Sequence, residues 1–332
     1  MWRRRNEVLL FALLSVFVLF AQERIRFMSY NVENLFDCVD DSLTQDEAFL
    51  PASLRHWNTY RYWQKLQAVS RTVAAVGGDR YPDFVALCEV ENDSVMHDLT
   101  CRSSLRSGNY RYLMTSSADS RGIDVALMYK PTTFRPFAHH SLRLPKEHLS
   151  KGTHVRDVLC VSGVLHTGDT LDLLVCHLPS RINGRKAARL RSKVVENVCE
   201  AIDSISALRG VPHIVLMGDF NDIPYSEVLH PLTDNQRGLV CVTENLGGSY
   251  RYKGKWEQID HVYLSSSLLL YDKEGVMLHL SPRGAWNFEA DFLTEPEPLY
   301  GGRRPHRTYN GMRYVGGTSD HLPVCFDLWF QW

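Results

Sequence analysis

A chain of 332 residues that is 44% hydrophobic and 23% charged, with a formal net charge of −1, has ordinary globular composition. The balance of 37 Lys+Arg against 38 Asp+Glu excludes a protein that grips nucleic acid through bulk positive charge, though an enzyme needs only a local basic groove. In chain order, Arg3, Arg4 and Arg5 come first, then the apolar run "VLLFALLSVFVLF" from Val8 to Phe20, then Ala21. A basic start, a short apolar stretch and a small residue predict a signal peptide over 1–21 and export of a mature chain 22–332 to the periplasm or medium. The run is short against the roughly 20 residues of a membrane span, so no stable span remains after cleavage. The alternative is a segment kept as an anchor. Cleavage would remove three Arg and one Glu and take the net charge from −1 to −3.

After the signal, "IRFMSYNV" (25–32) reads as a strand and "YWQKLQAVSRTVAAV" (62–76) as an amphipathic helix, with Leu66, Val69, Val73 and Val76 at helical spacing. "DFVALCEV" (83–90), "DVALMYK" (124–130), "RDVLCVSGVLH" (156–166) and "LDLLVCHL" (171–178) are further strands, the last two joined by a "TGD" hairpin turn. A second helix covers 185–202, with Leu190, Val194, Val198 and Ile202 on one side. "HIVLMGDF" (213–220), "QIDHVYL" (258–264) and "VCFDLWF" (324–330) complete the set. Many strands with few helices predict sheet packed on sheet with helices outside, in one domain without a linker. Residues 281–318, rich in Pro, Gly, Arg and aromatics, show no periodicity and predict a long functional loop. The eight cysteines form no C-x-x-C pair. Several lie inside apolar strands as small hydrophobes, and spacing gives no disulfide pairing.

The polar residues of interest share one placement, at or just past the end of an apolar strand. Asn31 and Glu33 lie two apart on one side of an extended chain, and Glu89 ends a buried strand. His177 does the same, with Ser180 and Arg181 beyond it. Asp219 and Asn221 are again two apart. Asp260 shares a face with Val262 and Leu264, where a carboxylate is costly unless paired, and His321 is an available partner. Glu33, Glu89, Asp219 and Asp320 are hard oxygen donors with no thiolate cluster and no H-E-x-x-H helix. That set suits Mg²⁺, Mn²⁺ or Ca²⁺ better than zinc. Asn, His and Arg are donors for phosphate oxygens. Phosphate-ester hydrolysis needs a metal, a group to activate water and donors for the transition state, and this chain holds all three. The absence of a Gly-rich P-loop motif argues against nucleotide-driven phosphoryl transfer.

Taken in order, "SYNVENLF", "CEVEN", "RGIDVALMY", "CHLPSR", "GDFND", "QIDHVYLS" and "GGTSDHLPV" resemble the endonuclease/exonuclease/phosphatase superfamily, over about Ile25 to Phe330. "GDFN" and "SDH" in this order and at this distance are the specific part. The resemblance implies an α/β fold, a four-layer α/β sandwich of two central mixed sheets with helices outside. It implies Glu89 as principal metal ligand, Asn31 near metal and phosphate, Glu33 as an acidic residue behind the ligands, and Asp320 as a metal-side carboxylate. It implies His177 on the phosphate, Asp219 and Asn221 around the attacking water, and Asp260 holding the catalytic His321. Either Asp219 or His321 serves as base in such a site. The assignment preferred is Asp219 orienting the water and His321 stabilising the phosphate. Ser180 stands where abasic-site enzymes of this family carry Asn. Arg181 and Arg121 look like added phosphate-binding positions. In "RRPHRTYNGMRY" (303–314), Arg303, Arg304 and Arg307 with Tyr309 and Tyr314 offer pairing and stacking groups for a nucleic-acid strand, against the alternative of a surface loop tied down by its aromatics. The expected activity is that of a monomeric Mg²⁺-dependent exported nuclease on DNA or RNA. A phospholipid or inositol-phosphate hydrolase is the second reading, and a non-catalytic binding module of the same fold the third.

Overall fold

The computed structural model describes residues 23–149, 153–234, 237–270 and 278–330, so the signal-type segment lies outside the described residues. In chain order its strands are β1 (Glu23–Leu35), β2 (Phe84–Val90), β3 (Arg111–Met114), β4 (Asp124–Tyr129), β5 (Phe134–Leu142), β6 (Val158–Leu165), β7 (Thr170–His177), β8 (Ile214–Asp219), β9 (Leu239–Cys241), β10 (Tyr250–Tyr252), β11 (Lys255–Glu257) and β12 (Asp260–Ser265). Then follow β13 (His279–Leu280), β14 (Trp286–Asn287), β15 (Thr294–Pro296), β16 (Arg303–Pro305), β17 (Tyr309–Asn310), β18 (Arg313–Tyr314) and β19 (Val324–Phe330). The first large sheet runs β13-β19-β1-β2-β4-β3, with β14 also on β19. The second runs β5-β6-β7-β8-β12-β9.

Three apolar layers separate four structural ones, which is the expected sandwich. Phe27, Phe84 and Phe326 of the first sheet meet Leu173, Met217 and Val262 of the second. Met28, Tyr30 and Val85 on the other face of the first sheet pack under the helix Thr59–Gly77 through Leu66, Val69 and Val73. Leu174, Cys176 and Leu216 on the outer face of the second sheet pack under the helix Gly184–Arg209 through Val194, Val198 and Ile202. Central strands covered on both faces read as nearly continuous apolar runs, which is why the sequence shows so little alternation. The helix Thr59–Gly77 begins where the Asn58 side chain accepts from Arg61 N at 3.1 Å, and ends against Gly78 at φ 71°. The second helix runs past the predicted 202 to Arg209. Its last turns carry too little apolar side for periodicity to mark them.

The two halves repeat one topology that no sequence similarity betrays. β1 lies parallel to β2 with the first long helix between them in sequence, and β7 lies parallel to β8 with the second. In each half an antiparallel strand follows on the far side, β4 and β12 respectively. The carboxyl ends of β1, β2, β7 and β8 therefore gather at one edge of the sandwich, together with the start of β12 and the approach to β19.

Gly218 of "GDFN" is needed where the two parallel strands meet. It pairs with Cys176, has φ 144°, and a Cβ placed there would lie 1.9 Å from the Cys176 carbonyl oxygen. Gly218→Ala is expected to cost more than about 3 kcal/mol, because the clash is with backbone in a packed core and not with a yielding side chain. Denaturant titration reads this as a lowered midpoint, and an unchanged midpoint would refute the backbone contact.

Residues 281–318 are built rather than loose. β14 joins the first sheet, and β15–β16 and β17–β18 form two small hairpins. Tyr309 is 5% exposed. It packs near Trp57 at 6.1 Å between ring centres and donates its hydroxyl to the Arg55 carbonyl at 3.0 Å. It belongs to the layer under the first helix, so the expected stacking role for Tyr309 is corrected: its ring is spent on anchoring the segment. Tyr314 packs edge-on against it at 5.4 Å. Tyr309→Ala is expected to lose about 3 kcal/mol of stability, as for other large buried aromatics. A lowered midpoint in denaturant titration checks this, and an unchanged midpoint would refute the anchoring role. All eight cysteines are unpaired, six of them buried.

Candidate active site

Strand register brings the predicted residues together. On β1, β7, β8 and β12 the side chains facing the other sheet include Phe27, Leu173, Met217 and Val262, and the same alternation carries Asn31, His177, Asp219 and Asp260 onto that face. Asp219 stands opposite His177 on one side and Asp260 on the other. Glu89 breaks the alternation. Val85 and Leu87 point to the helix layer, so Glu89 would follow them, but it takes φ 67° at a register shift between Cys88 and Val90. The left-handed residue turns its carboxylate back to the site edge. Glu33, Asn34 and Asn221 also have positive φ, at 51°, 54° and 51°. Each such non-glycine residue costs on the order of 1 kcal/mol, and the packed surroundings hold the strain at the site.

The polar contacts converge. Asn31 Nδ2 donates to Asp219 Oδ2 at 2.9 Å and lies 3.4 Å from Glu89 Oε1. Glu89 Oε2 accepts from Asn34 N at 2.8 Å. His177 Nε2 is 3.5 Å from Asp219 Oδ2 and 3.9 Å from Glu89 Oε1. Asp219 Oδ1 accepts from Asn221 N at 2.8 Å, while the Asn221 amide donates to the Leu178 carbonyl at 3.1 Å and so ties the ends of β7 and β8. His321 Nδ1 meets Asp260 Oδ2 at 2.7 Å, and Ser249 Oγ donates to the same oxygen at 2.5 Å. With Nδ1 engaged, His321 Nε2 is the outward atom, 3.9 Å from Asp219 Oδ2 and 4.0 Å from Asp320 Oδ1. The neighbours Asp320 and His321 thus take different partners, because Asp320 Oδ2 accepts from Arg307 at 2.5 Å.

Burial and charge set the two histidines apart. Burial opposes the imidazolium of His321, but Asp260, through charge and hydrogen bond, and then Asp219 and Asp320 outweigh it. The ring is held protonated well above the ordinary histidine range. His177 is buried too, with Arg156, Arg121 and His321 adding positive charge, and its pKa is driven well down. Its neutral ring keeps a single N–H to offer. Burial first, then Asp260, pushes Asp219 up to about 7, against the pull of His321, Asn31 and Asn221.

The metal the family implies can be tested against the donors present. The ligand atoms of Asp219, Asp260 and His321 lie within 4.8 Å of one another. Asp260 Oδ2 is nonetheless already shared by an imidazole N–H and a hydroxyl, and an imidazolium has no lone pair for a cation. Glu89 fits better. Its Oε1 has only long contacts, to Asn31, His177 and Arg121, and the oxygen donors beside it suit a hard divalent ion.

Of the other expected residues, Arg121 lies at the site, its Nη2 4.0 Å from Glu89 Oε1, and half of its side chain is exposed. Arg181 is paired with Glu257 near Tyr250, and Ser180 is exposed just past β7. Arg307 reaches both Glu33 Oε1, at 3.3 Å, and Asp320, whereas Tyr309 two residues on does not reach the site. Glu33 Oε2 accepts from Thr308 N at 2.8 Å, so this residue anchors the 303–318 segment. Sequence reasoning missed Lys65, Ser249, Arg156 and Tyr250. Lys65 is 2% exposed and donates to Thr308 Oγ1 and the Thr318 carbonyl, both at 2.5 Å. Burial lowers its pKa to about 8 against the pull of Glu33, Asp320 and Glu89. A lysine beside Leu66 on the apolar side of an otherwise amphipathic helix was the available signal. Arg156 is buried and donates to the His177 and Leu178 carbonyls at 3.0 and 2.9 Å, which fixes the end of β7. The Tyr250 ring lies 4.9 Å from that of His321.

Comparisons with known proteins bear on the family and the fold. The description "Endonuclease/Exonuclease/phosphatase family" matches residues 26–329. Among curated proteins compared by sequence, none matches. Among solved structures, a family protein from Bacteroides thetaiotaomicron superimposes with a TM-score of 0.59 at 18% identity, covering 93% of this chain and 99% of that one. The human Nocturnin catalytic domain with bound sulfate gives 0.58 at 16% identity, covering 94% and 97%. D. rerio TDP2 complexed with a single-strand DNA product gives 0.58 at 16% identity, covering 92% and 99%. At these identities the structures establish the shared fold, and with the match over nearly the whole described chain, the protein belongs to the endonuclease/exonuclease/phosphatase family of phosphoester hydrolases.

Proposed function

We propose that this protein is an exported, monomeric, divalent-metal-dependent phosphodiesterase that cleaves DNA or RNA. The observation that carries the reading is the array Asp260–His321–Asp219 facing Glu89, with both histidines within 4 Å of one carboxylate, that of Asp219. Asp219 orients a water for attack on phosphorus and takes its proton. The basicity it gains from burial suits that task. The P–O ester bond opposite the water breaks, and the leaving oxygen takes its proton from solvent. His321, kept charged by Asp260, and the neutral N–H of His177 donate to the phosphate oxygens as charge develops. A divalent ion held by Glu89, with Asn31 and Asp320 beside it, would supply charge neutralisation on the phosphate. Mg²⁺ fits the hard oxygen donors, as do Mn²⁺ and Ca²⁺.

Nucleic acid is favoured as substrate because Arg121, Arg181 and Arg307 surround the site, and because one fold neighbour holds a single-strand DNA product. No helix among the described residues is long and apolar enough to cross a membrane. Export rests on residues 1–21 and is tested by fractionation of the producing cells. The activity test offers plasmid DNA, RNA, sphingomyelin and inositol phosphates with Mg²⁺, Mn²⁺ or Ca²⁺, and with EDTA. Metal-dependent cleavage of nucleic acid is expected, with chelation lowering the rate at least 10²-fold. Equal rates in EDTA would overturn the mechanism. Hydrolysis confined to sphingomyelin or inositol phosphates would overturn the substrate.

A further inference from the structure

The helix Thr59–Gly77 is an outer element, yet it sends one charged side chain into the protein. Lys65 is buried beside Leu66, which packs on the first sheet. Taking an ammonium out of water is costly, and an apolar side chain in such a place is often as stable or more so. Its two hydrogen bonds go to uncharged oxygens, Thr308 Oγ1 and the Thr318 carbonyl. Glu33, Asp320 and Glu89 act on its charge without bonding to it. Thr308 and Thr318 lie in two stretches that run side by side. Gly317 N donates to the Arg307 carbonyl at 3.1 Å, Ser319 N to the His306 carbonyl at 3.2 Å, and Thr308 Oγ1 to the Gly317 carbonyl at 3.3 Å. The approach is closest at Gly317, where a Cβ would lie 2.0 Å from the His306 carbonyl oxygen. The paired stretches therefore shift as one piece, which carries Arg307 on one side and Asp320 and His321 on the other. Two ties lead from this piece to β1: Ser319 Oγ donates to the Asn31 carbonyl at 2.6 Å, and Thr308 N to Glu33 Oε2 at 2.8 Å. Lys65 adds a tie from the helix and holds both stretches from a single atom. His321 N donates to Ser319 Oγ at 3.1 Å, so the level of the chain at Thr318 and Ser319 sets where the imidazole enters between Asp260 and Asp219.

We propose that Lys65 is a positioning residue for the hydrolysis: from the outer helix it clamps the stretches 306–309 and 317–321 together and so holds His321 Nε2 in line with Asp219. The proposal rests on the phosphodiesterase reading above. Tyr309 anchors the same segment in the layer under the helix, so loss of Lys65 leaves the stretches docked but displaced. Lys65→Met, which replaces the ammonium by an apolar side chain of similar length, is expected to melt cooperatively within about 5 °C of wild type. With bis(p-nitrophenyl) phosphate and Mn²⁺ its kcat is expected to fall on the order of 10²-fold, as small misplacements of a reacting group do. KM is expected to stay within about threefold, because Lys65 is buried away from substrate. A readout without turnover is the low-field Nδ1 proton of His321 in the proton magnetic resonance spectrum, identified by its loss in His321→Ala and expected to shift or broaden in Lys65→Met. A folded Lys65→Met with wild-type kcat would overturn the proposal, as would an unmoved His321 resonance or a loss that falls on KM alone. If Lys65→Met fails to fold, Thr308→Val decides, since it removes one of the two oxygens that Lys65 holds. There a lowered kcat with a moved resonance supports the clamp, and a wild-type kcat or an unmoved resonance overturns it. A wild-type protein without phosphodiesterase activity would overturn the hydrolase reading, and the His321 resonance would then still decide whether Lys65 sets the place of the ring.

Discussion

Replacing His321 by alanine is expected to lower kcat by at least about 10³-fold while the melting transition remains cooperative. The ring is buried, its Nδ1 is bonded to Asp260 at 2.7 Å, and its Nε2 is left to face the reacting region, 3.9 Å from Asp219 Oδ2. Alanine removes a charged donor that strengthens its bond as the phosphate gains charge, so the loss falls on kcat more than on KM. Asp260→Asn separates holding from donating. It leaves the imidazole in place, with an amide oxygen still able to accept from Nδ1–H, but removes the negative charge that keeps the ring protonated, so burial then lowers the pKa. The charged ring is the active form. The basic limb of the pH–rate profile is therefore expected to move to lower pH in Asp260→Asn, with kcat near wild type on the acid side. Full activity in His321→Ala would refute the site, and an unmoved basic limb in Asp260→Asn would refute the protonation assignment.

Glu89→Gln is the second large effect. The amide keeps the size and the capacity to accept from Asn34 N but loses the negative charge that a divalent ion needs. Metal affinity is expected to fall by at least about 10²-fold, and the rate at fixed millimolar Mg²⁺ by a similar factor. Raising the metal concentration should recover part of the rate, because the change acts on metal occupancy. A variant that binds metal as wild type would remove Glu89 from the metal centre. Asp219→Asn, which spares the Glu89 carboxylate, is expected to lose rate without such rescue, which separates water activation from metal binding.

Both predictions rest on residues whose types and approximate placement the sequence alone determined. Apolar strands that end in Asn31, Glu89, His177 and Asp219, a buried Asp260 in need of a partner, and the "SDH" turn were legible because strand patterning is local and burial imposes it residue by residue. The same patterning gave sheet on sheet with outer helices, and β19 to the residue. What only the tertiary structure decided depends on contacts between distant segments. Parity along β2 sends Glu89 to the wrong face, and only the left-handed bulge against β4 returns it to the site. Arg307 and Tyr309 sit two residues apart in one arginine-rich, aromatic segment and look alike as substrate contacts. The fold sends Tyr309 under a helix begun at residue 59 and Arg307 onto Glu33, 274 residues away in sequence. Lys65 carries a charge whose meaning depends wholly on carboxylates from other strands. Local periodicity fixes which face a side chain takes within its own element. Which charges meet across elements is fixed by long-range packing, and for this protein that packing determines where positive charge is built into the site.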